Sequence, residues 1–456
     1  MPTVDLVAGI PSQAIARIGE RERARYLAAH PVCAAATHAS AAHWLDGVPM
    51  HWMTDWGLPV PLVVKQASGS IVEDIDGHRY GDFCLGDTGA MFGHSPAPVA
   101  EAIRQQSSRG LTCMLPVEAT ARIGELLAAH FSLPCWQMTQ TATDANRAVV
   151  RWARALTRRK RILVFEGCYH GSLEDTMVEL SDGSVTPRRG QVGQVADFAA
   201  LARVVEFNDL AGLEAALAWE DVACVLAEPV MTNAGMVLPQ PGFWEQARAL
   251  CDRYGTLLAI DETHTLSSGP GGYARRIGLR ADFVVAGKAI AGGVPCAVYG
   301  FTTELAQAMS ALLREKPSGH SGMGTTLAAN ALASAALAAC LEHVMTEDAY
   351  RHMTDLSAQL VAGIENIIQR HALPWHVSNV GARSELCFSR MPALTARESL
   401  SAAVPVLERT LHLYLLNRGV LITPFHNMML ISPATEPAQV RALLDALDAC
   451  CTELLS

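Results

Sequence analysis

Lysine is scarce in this sequence. Lys65, Lys160, Lys288 and Lys316 are four of 35 basic residues, and arginine makes up the rest. Charge is scarce too, at 18% of the chain, and the balance is a formal net charge of −10. Such a chain has no basic surface with which to hold nucleic acid or an anionic membrane. Long hydrophobic runs are missing: glycine, proline or a charge interrupts each apolar stretch before it reaches the roughly 20 residues of a membrane span. The 12 cysteines include no Cys-x-x-Cys and no Cys/His zinc spacing, and only Cys450 and Cys451 are adjacent. That pattern predicts reduced thiols, a cytoplasmic setting and no bound metal. The opening segment lacks a cationic stretch followed by an apolar one, so no signal peptide is expected. Its "RIGERERARYL" reads as a charged amphipathic helix instead.

What is present suffices for a large core: half of the 456 residues are apolar, and the length implies two or three subdomains. Residues 60–95 read as short strands and turns, with the hairpin pair Asp76-Gly77 between β-prone segments. From about 117 to 300, helical stretches such as "TDANRAVVRWARALTRR" and "PGFWEQARALCDRYG" alternate with short apolar runs. Those runs are "RILVFEG" (161–167), "ACVLAEPV" (223–230), "LLAIDET" (257–263) and "DFVVAGKA" (282–289). The alternation predicts an α/β fold with a largely parallel sheet between helices. The Ala-rich helical stretch after 327, followed by "SELCF" and "MMLIS", predicts a second, smaller α+β domain. The expected division is 1–75 as a segment joining the small domain, 76–330 as the large domain and 331–456 as the small one.

Ligands of open parallel sheets bind beyond the carboxyl ends of the strands. Glu166 to Gly171 follow the first of the four runs, Glu228 the second, Asp261-Glu262 the third and Lys288 the fourth. Of the four lysines, Lys288 alone sits in an apolar setting, between Phe283-Val284-Val285-Ala286-Gly287 and Gly292-Gly293. A stem packed on apolar neighbours with its amine reaching water is the ordinary explanation. A desolvated ammonium also sheds its proton readily and becomes a nucleophile. A lysine with an acid on the same sheet edge is the arrangement pyridoxal phosphate requires.

From about residue 60 to the end, the chain resembles the class III aminotransferases of the fold-type I pyridoxal-phosphate group. The likeness is to the branch holding glutamate-1-semialdehyde aminomutase and β-amino-acid aminotransferases. The matching stretches are "DIDGHRYGDF", "GHSP", "ILVFEGCYHG", "AEPV", "LLAIDETHT", "GKAIAGGVP" and "VLITPFHNMMLIS", in order, with 27 residues from Asp261 to Lys288. The resemblance implies a large domain with a seven-stranded-type, mostly parallel sheet, and pyridoxal 5′-phosphate as cofactor. It implies Lys288 as the Schiff-base lysine, Asp261 as partner of the pyridine nitrogen and Tyr169 as the aromatic on the ring face, with a buried core tyrosine as the alternative. His170 completes that turn. Thr263 stands where the family usually has valine, His264 where it often has Gln or Met, and Glu228 in the "EP" position. Thr141, Ala142 and Thr143 take the place of the phosphate-binding Ser-Gly-Thr, with Ala142 restricting the backbone. Thr326, or Thr325, corresponds to the threonine that reaches the phosphate of a neighbouring subunit, which implies a homodimer with shared sites.

The implied activity moves an amino group between an amino acid or amine and a carbonyl acceptor. The alternatives are an intramolecular aminomutase of the glutamate-1-semialdehyde type and a cofactor-bearing protein without turnover. The arginines with which relatives grip a carboxylate are missing from "LITPFHNMMLISPAT" and "GVPMHWMTDW", and Thr88 replaces the aminomutases' tryptophan. Arg383 is a candidate substitute. His51 and His426 are candidates for lining a pocket, with Trp52, Trp56 and Phe425 as pocket or packing residues.

Overall fold

The computed structural model describes residues 5–456 and divides into two compact units. The larger holds Ala97–Tyr350 with Ala393–Ser401; the smaller holds the chain up to Pro96, Arg351–Pro392 and Ala402–Ser456.

The larger unit is built on seven strands: β1 (Cys135–Thr139), β2 (Arg161–Phe165), β3 (Ala202–Val205), β4 (Val222–Ala227), β5 (Leu257–Asp261), β6 (Phe283–Ala286) and β7 (Ala297–Phe301). Their order is β3-β2-β4-β5-β6-β7-β1. Pairing is parallel from β3 through β6, and β7 alone runs against its neighbours. Every side chain of β4, β6 and β7 is buried, which is why these strands are continuous apolar runs rather than alternating ones. Helix α1 (Ala142–Thr157) lays Ala145, Ala148, Val149, Trp152 and Ala153 into the core. Thr141 caps α1, its hydroxyl accepting the Asp144 N–H at 3.2 Å. Helix α2 (Phe243–Tyr254) ends at Gly255.

The smaller unit pairs Val64–Ser68, Ile71–Asp74 and Arg79–Asp82 antiparallel and adds Val420–Leu421 in parallel. A second sheet joins His376–Val380, Arg383–Cys387 and Met428–Leu430. The division therefore falls elsewhere than at 75 and 330. Residues 76–96 stay with the smaller unit because Ile71 pairs with Gly81, which also pairs with Val420. Helix α3 (Ala331–His343) stays with the larger unit because it packs on Ala97–Gln106 and Thr120–Phe131. Residues 393–401 return to the larger unit: Asn208 Nδ2 donates to the Leu394 carbonyl at 2.9 Å, and Arg397 pairs with Glu206 at 2.9 Å.

Among the described residues no helix is long and apolar enough to cross a membrane, and all twelve cysteines are free. Metal-type donors do meet in the smaller unit, at His30, Asp74 and His78 and at Cys33, Asp74 and Asp76. They are engaged with protein partners there. Asp74 accepts from Tyr80 and His78, His30 bonds Tyr80, and Asp76 accepts the N–H groups of Val32 and Cys33.

Candidate active site

The larger unit gathers the expected residues at the carboxyl ends of its strands. β5 and β6 pair with Asp261 opposite Val285, so Asp261 and Lys288 leave adjacent strands within a few residues of each other. Gly287 lets the chain pass: a Cβ there would meet Ala142 Cβ at 2.9 Å and Ala297 Cβ at 3.3 Å. The chain turns at once, and Lys288 adopts a left-handed backbone with φ of +50°. A non-glycine residue pays about 1–2 kcal/mol for that conformation, a strain typical of functional positions. Its partly buried side chain points its amine at His264, with Nζ 2.6 Å from Nε2.

Asp261 is the charge at the centre. Its Oδ2 accepts from Asn146 Nδ2 at 2.8 Å and meets His170 Nδ1 at 3.0 Å, while Oδ1 accepts the Thr263 N–H at 3.1 Å. Burial alone would raise this carboxyl, but His170, Thr263 and Asn146 outweigh it and hold it below the usual carboxylate range. Burial would likewise lower His170, and Asp261 with Cys168 outweighs it, so the imidazole is held cationic. Around this pair three buried polar atoms have no protein partner among the described residues: Asn146 Oδ1, His170 Nε2 and Thr263 Oγ1.

Tyr169 is 45% exposed, which excludes the core-tyrosine alternative. At the start of α1, the Thr141 hydroxyl bonds Asp144 Oδ2 at 2.8 Å, and Thr143 Oγ1 accepts the Ser172 N–H at 3.2 Å. Gly171 permits that close approach, since a Cβ there would fall 1.9 Å from Thr143 Oγ1. Glu228 is buried beyond β4. Its Oε2 accepts the Thr232 hydroxyl and, at 3.2 Å, the Thr232 N–H; Asn233 reaches both oxygens at 3.3 Å. Thr232 Oγ1 also meets His264 Nδ1 at 2.9 Å. Thr325 and Thr326 lie on an exposed loop, where the Thr325 hydroxyl donates to Gln140 at 2.9 Å.

Two site residues escaped the sequence reading. Asn146 sits one turn into α1, four residues past Ala142, on the side that faces the sheet; Thr232 lies four residues past Glu228 in the same loop. In the smaller unit, Arg383 is buried and donates from Nη1 to the Thr88 hydroxyl at 3.0 Å. His426 lies 3.2 Å from Glu385, whereas His51 is on an exposed turn. A cavity of about 560 Å³ in that unit is lined by Trp44, Trp52, Trp56 and Leu421 among others, and neither histidine lines it. Trp56 and Phe425 pack edge to face.

Comparison with known proteins agrees with this geometry. A glutamate-1-semialdehyde aminomutase from Pseudomonas aeruginosa PAO1 is 48% identical, with a TM-score of 0.95, over 98% of this chain and 100% of that one. A lysine-to-alanine variant described under the same name, in complex with PMP, is 47% identical over the same shares, also with a TM-score of 0.95. An omega-transaminase from Sphaerobacter thermophilus is 26% identical, with a TM-score of 0.86, over 94% of this chain and 100% of that one. Residues 53–451 match the family model for aminotransferase class-III, and the chain belongs to that family.

Proposed function

We propose that this chain is a pyridoxal 5′-phosphate-dependent aminotransferase that moves an amino group between an amino acid or amine and a carbonyl acceptor. The observation that carries the reading is the pairing of Lys288 with a buried Asp261 on the next strand, the latter kept anionic by His170. The unpartnered polar atoms around Asp261 and the N-terminus of α1 suit a phosphorylated heterocycle. Asp261 would face its ring nitrogen, Tyr169 and Thr263 its ring faces, and His170, Glu228 and His264 its surroundings. Thr141, Ala142 and Thr143 would hold its phosphate with the helix N–H groups and dipole.

When bound, the cofactor supplies an electron sink for the pair left as a substrate C–H bond breaks, and a carbonyl carbon for amines. Asp261 would keep that ring nitrogen protonated, because its own carboxyl lies too low to take the proton. Lys288 would hold the cofactor through Nζ and move a proton to and from the substrate carbon.

The similarity to a protein described as an aminomutase favours a second reading, in which the amino group moves within one molecule. A panel of α-, β- and ω-amino compounds added to the yellow holoprotein separates the two. Bleaching with release of a carbonyl product, and turnover only with a separate acceptor, supports transamination; turnover of one substrate alone supports the mutase. A protein that takes up no cofactor overturns both.

A homodimer with shared sites is part of the proposal. Thr326 lines a surface cavity with Met114 and Leu115 and precedes Leu327, all three of them exposed apolar side chains, a patch suited to a second copy. Thr325 is engaged with Gln140 of its own chain, which favours Thr326 as the residue offered to the partner. Twelve free cysteines support a reducing, cytoplasmic setting.

A further inference from the structure

Three neighbouring strands deliver a line of groups that can each both give and take a proton. Glu228 and Thr232 follow β4, His264 follows β5 and Lys288 follows β6. The Thr232 hydroxyl bonds Glu228 Oε2 and lies 2.9 Å from His264 Nδ1, and His264 Nε2 is 2.6 Å from Lys288 Nζ. Glu228, Thr232 and His264 are all buried. Two complete bonding patterns satisfy this line. In one, Lys288 donates to His264, His264 to Thr232, and Thr232 to the Glu228 carboxylate. In the other every hydrogen bond is reversed.

We propose that His264 exchanges protons with Lys288 and, through Thr232, passes them to and from Glu228. The inference rests on reading Lys288 as the amine that moves the substrate proton. In the step, an Nζ–H bond of Lys288 breaks as His264 Nε2–H forms, and His264 Nδ1–H breaks as a new Thr232 Oγ1–H forms. The original Oγ1–H proton goes to Glu228 Oε2. An ammonium and a carboxylate become an amine and a carboxylic acid, and no charge leaves the site. Burial favours that neutral end. It raises the Glu228 carboxyl, opposed by the charge of His170 and by Thr232 and Asn233, and reinforced by the charge of Asp261. His264 faces Thr232 on one side and Lys288 on the other.

The test uses the full-length chain freed of cofactor. Acetylation of Lys288 by acetic anhydride at pH 7 is followed by peptide mass spectrometry, with Lys65, Lys160 and Lys316 as internal standards. Thr232→Val keeps the shape but breaks the line; Thr232→Ser keeps the hydroxyl. Lys288 should react about tenfold more slowly in Thr232→Val and in His264→Gln, and at the wild-type rate in Thr232→Ser. Equal rates in wild type, Thr232→Val and His264→Gln would overturn the relay and leave His264 a packing residue. Should Thr232→Val fail to fold, His264→Gln and Glu228→Gln decide the matter by the same rates. A chain that bound no cofactor yet showed the tenfold loss would keep the relay and sink the aminotransferase reading.

Discussion

Replacing His170 by glutamine keeps a side chain able to donate to Asp261 but removes its charge. The native contact is 3.0 Å, between side chains that are 0% and 5% exposed. Burial lowers the imidazole, but Asp261 and Cys168 outweigh it and raise it to about 10. A raised imidazolium contributes fully below its unfolded value near 6.5 and is lost as pH climbs through 10. The depressed carboxylate contributes above its unfolded value of 3.8 and is lost as pH falls through about 2. Both contributions are complete between roughly pH 4 and 6.5. Removing one member of a buried ion pair costs about 3–5 kcal/mol, and the remaining amide hydrogen bond puts glutamine at the low end. For a unit of roughly 250 residues, 3 kcal/mol lowers Tm by about 6 °C. Circular-dichroism melts of the cofactor-free chain should show that gap at pH 6, and at pH 10 only about 2 °C, because by then half of the wild-type imidazole has lost its proton and most of the charge's contribution has gone with it. A gap that is the same at both pH values would refute the ion-pair account.

Gly171→Ala places a Cβ 1.9 Å from Thr143 Oγ1 at a φ of +74°. It should displace the first turn of α1 and weaken cofactor binding by at least about tenfold in equilibrium dialysis; unchanged binding would remove α1 from the phosphate site. Glu262→Gln tests a second buried acid, raised to about 7 by burial despite bonds from Thr265, Ala274 and Tyr273. The native acid contributes below its unfolded value of 4.5 and that contribution is lost as pH rises through 7. The variant should therefore gain on wild type by on the order of 2 kcal/mol between pH 4.5 and 7 in thermal melts, and a constant difference would contradict this. Tyr169→Ala, at an exposed position, should keep stability within about 1 kcal/mol while cofactor retention falls; a cooperative loss of fold would show that the ring is structural.

The strands of the larger unit were legible because burial on both faces leaves apolar runs, and the scarcity of lysine made Lys288 conspicuous at the end of one. Strand direction was not legible: "CAVYGF" carries no mark of the antiparallel course of β7, which its neighbours β6 and β1 impose. Helix α3 belongs to the larger unit although its Ala-rich sequence suggested the small domain. With small residues on every side it has almost no amphipathic face from which to read a neighbour. The bonds that hold Asp261 anionic come from Asn146 and His170, 115 and 91 residues away, and only folding reveals which polar side chains meet it. The carboxylate anchor stayed out of reach for the same reason. Arg383 reads as a candidate in the sequence and is buried against Thr88 in the fold.

The central claim is that Lys288 carries the cofactor, and the scarcity of lysine makes it simple to test. The holoprotein is reduced with borohydride, digested, and its lysine peptides weighed. The account predicts the mass of the reduced cofactor on the peptide containing Lys288 and on none containing Lys65, Lys160 or Lys316. The label on another lysine, or on none in a protein that retains the cofactor, would contradict it.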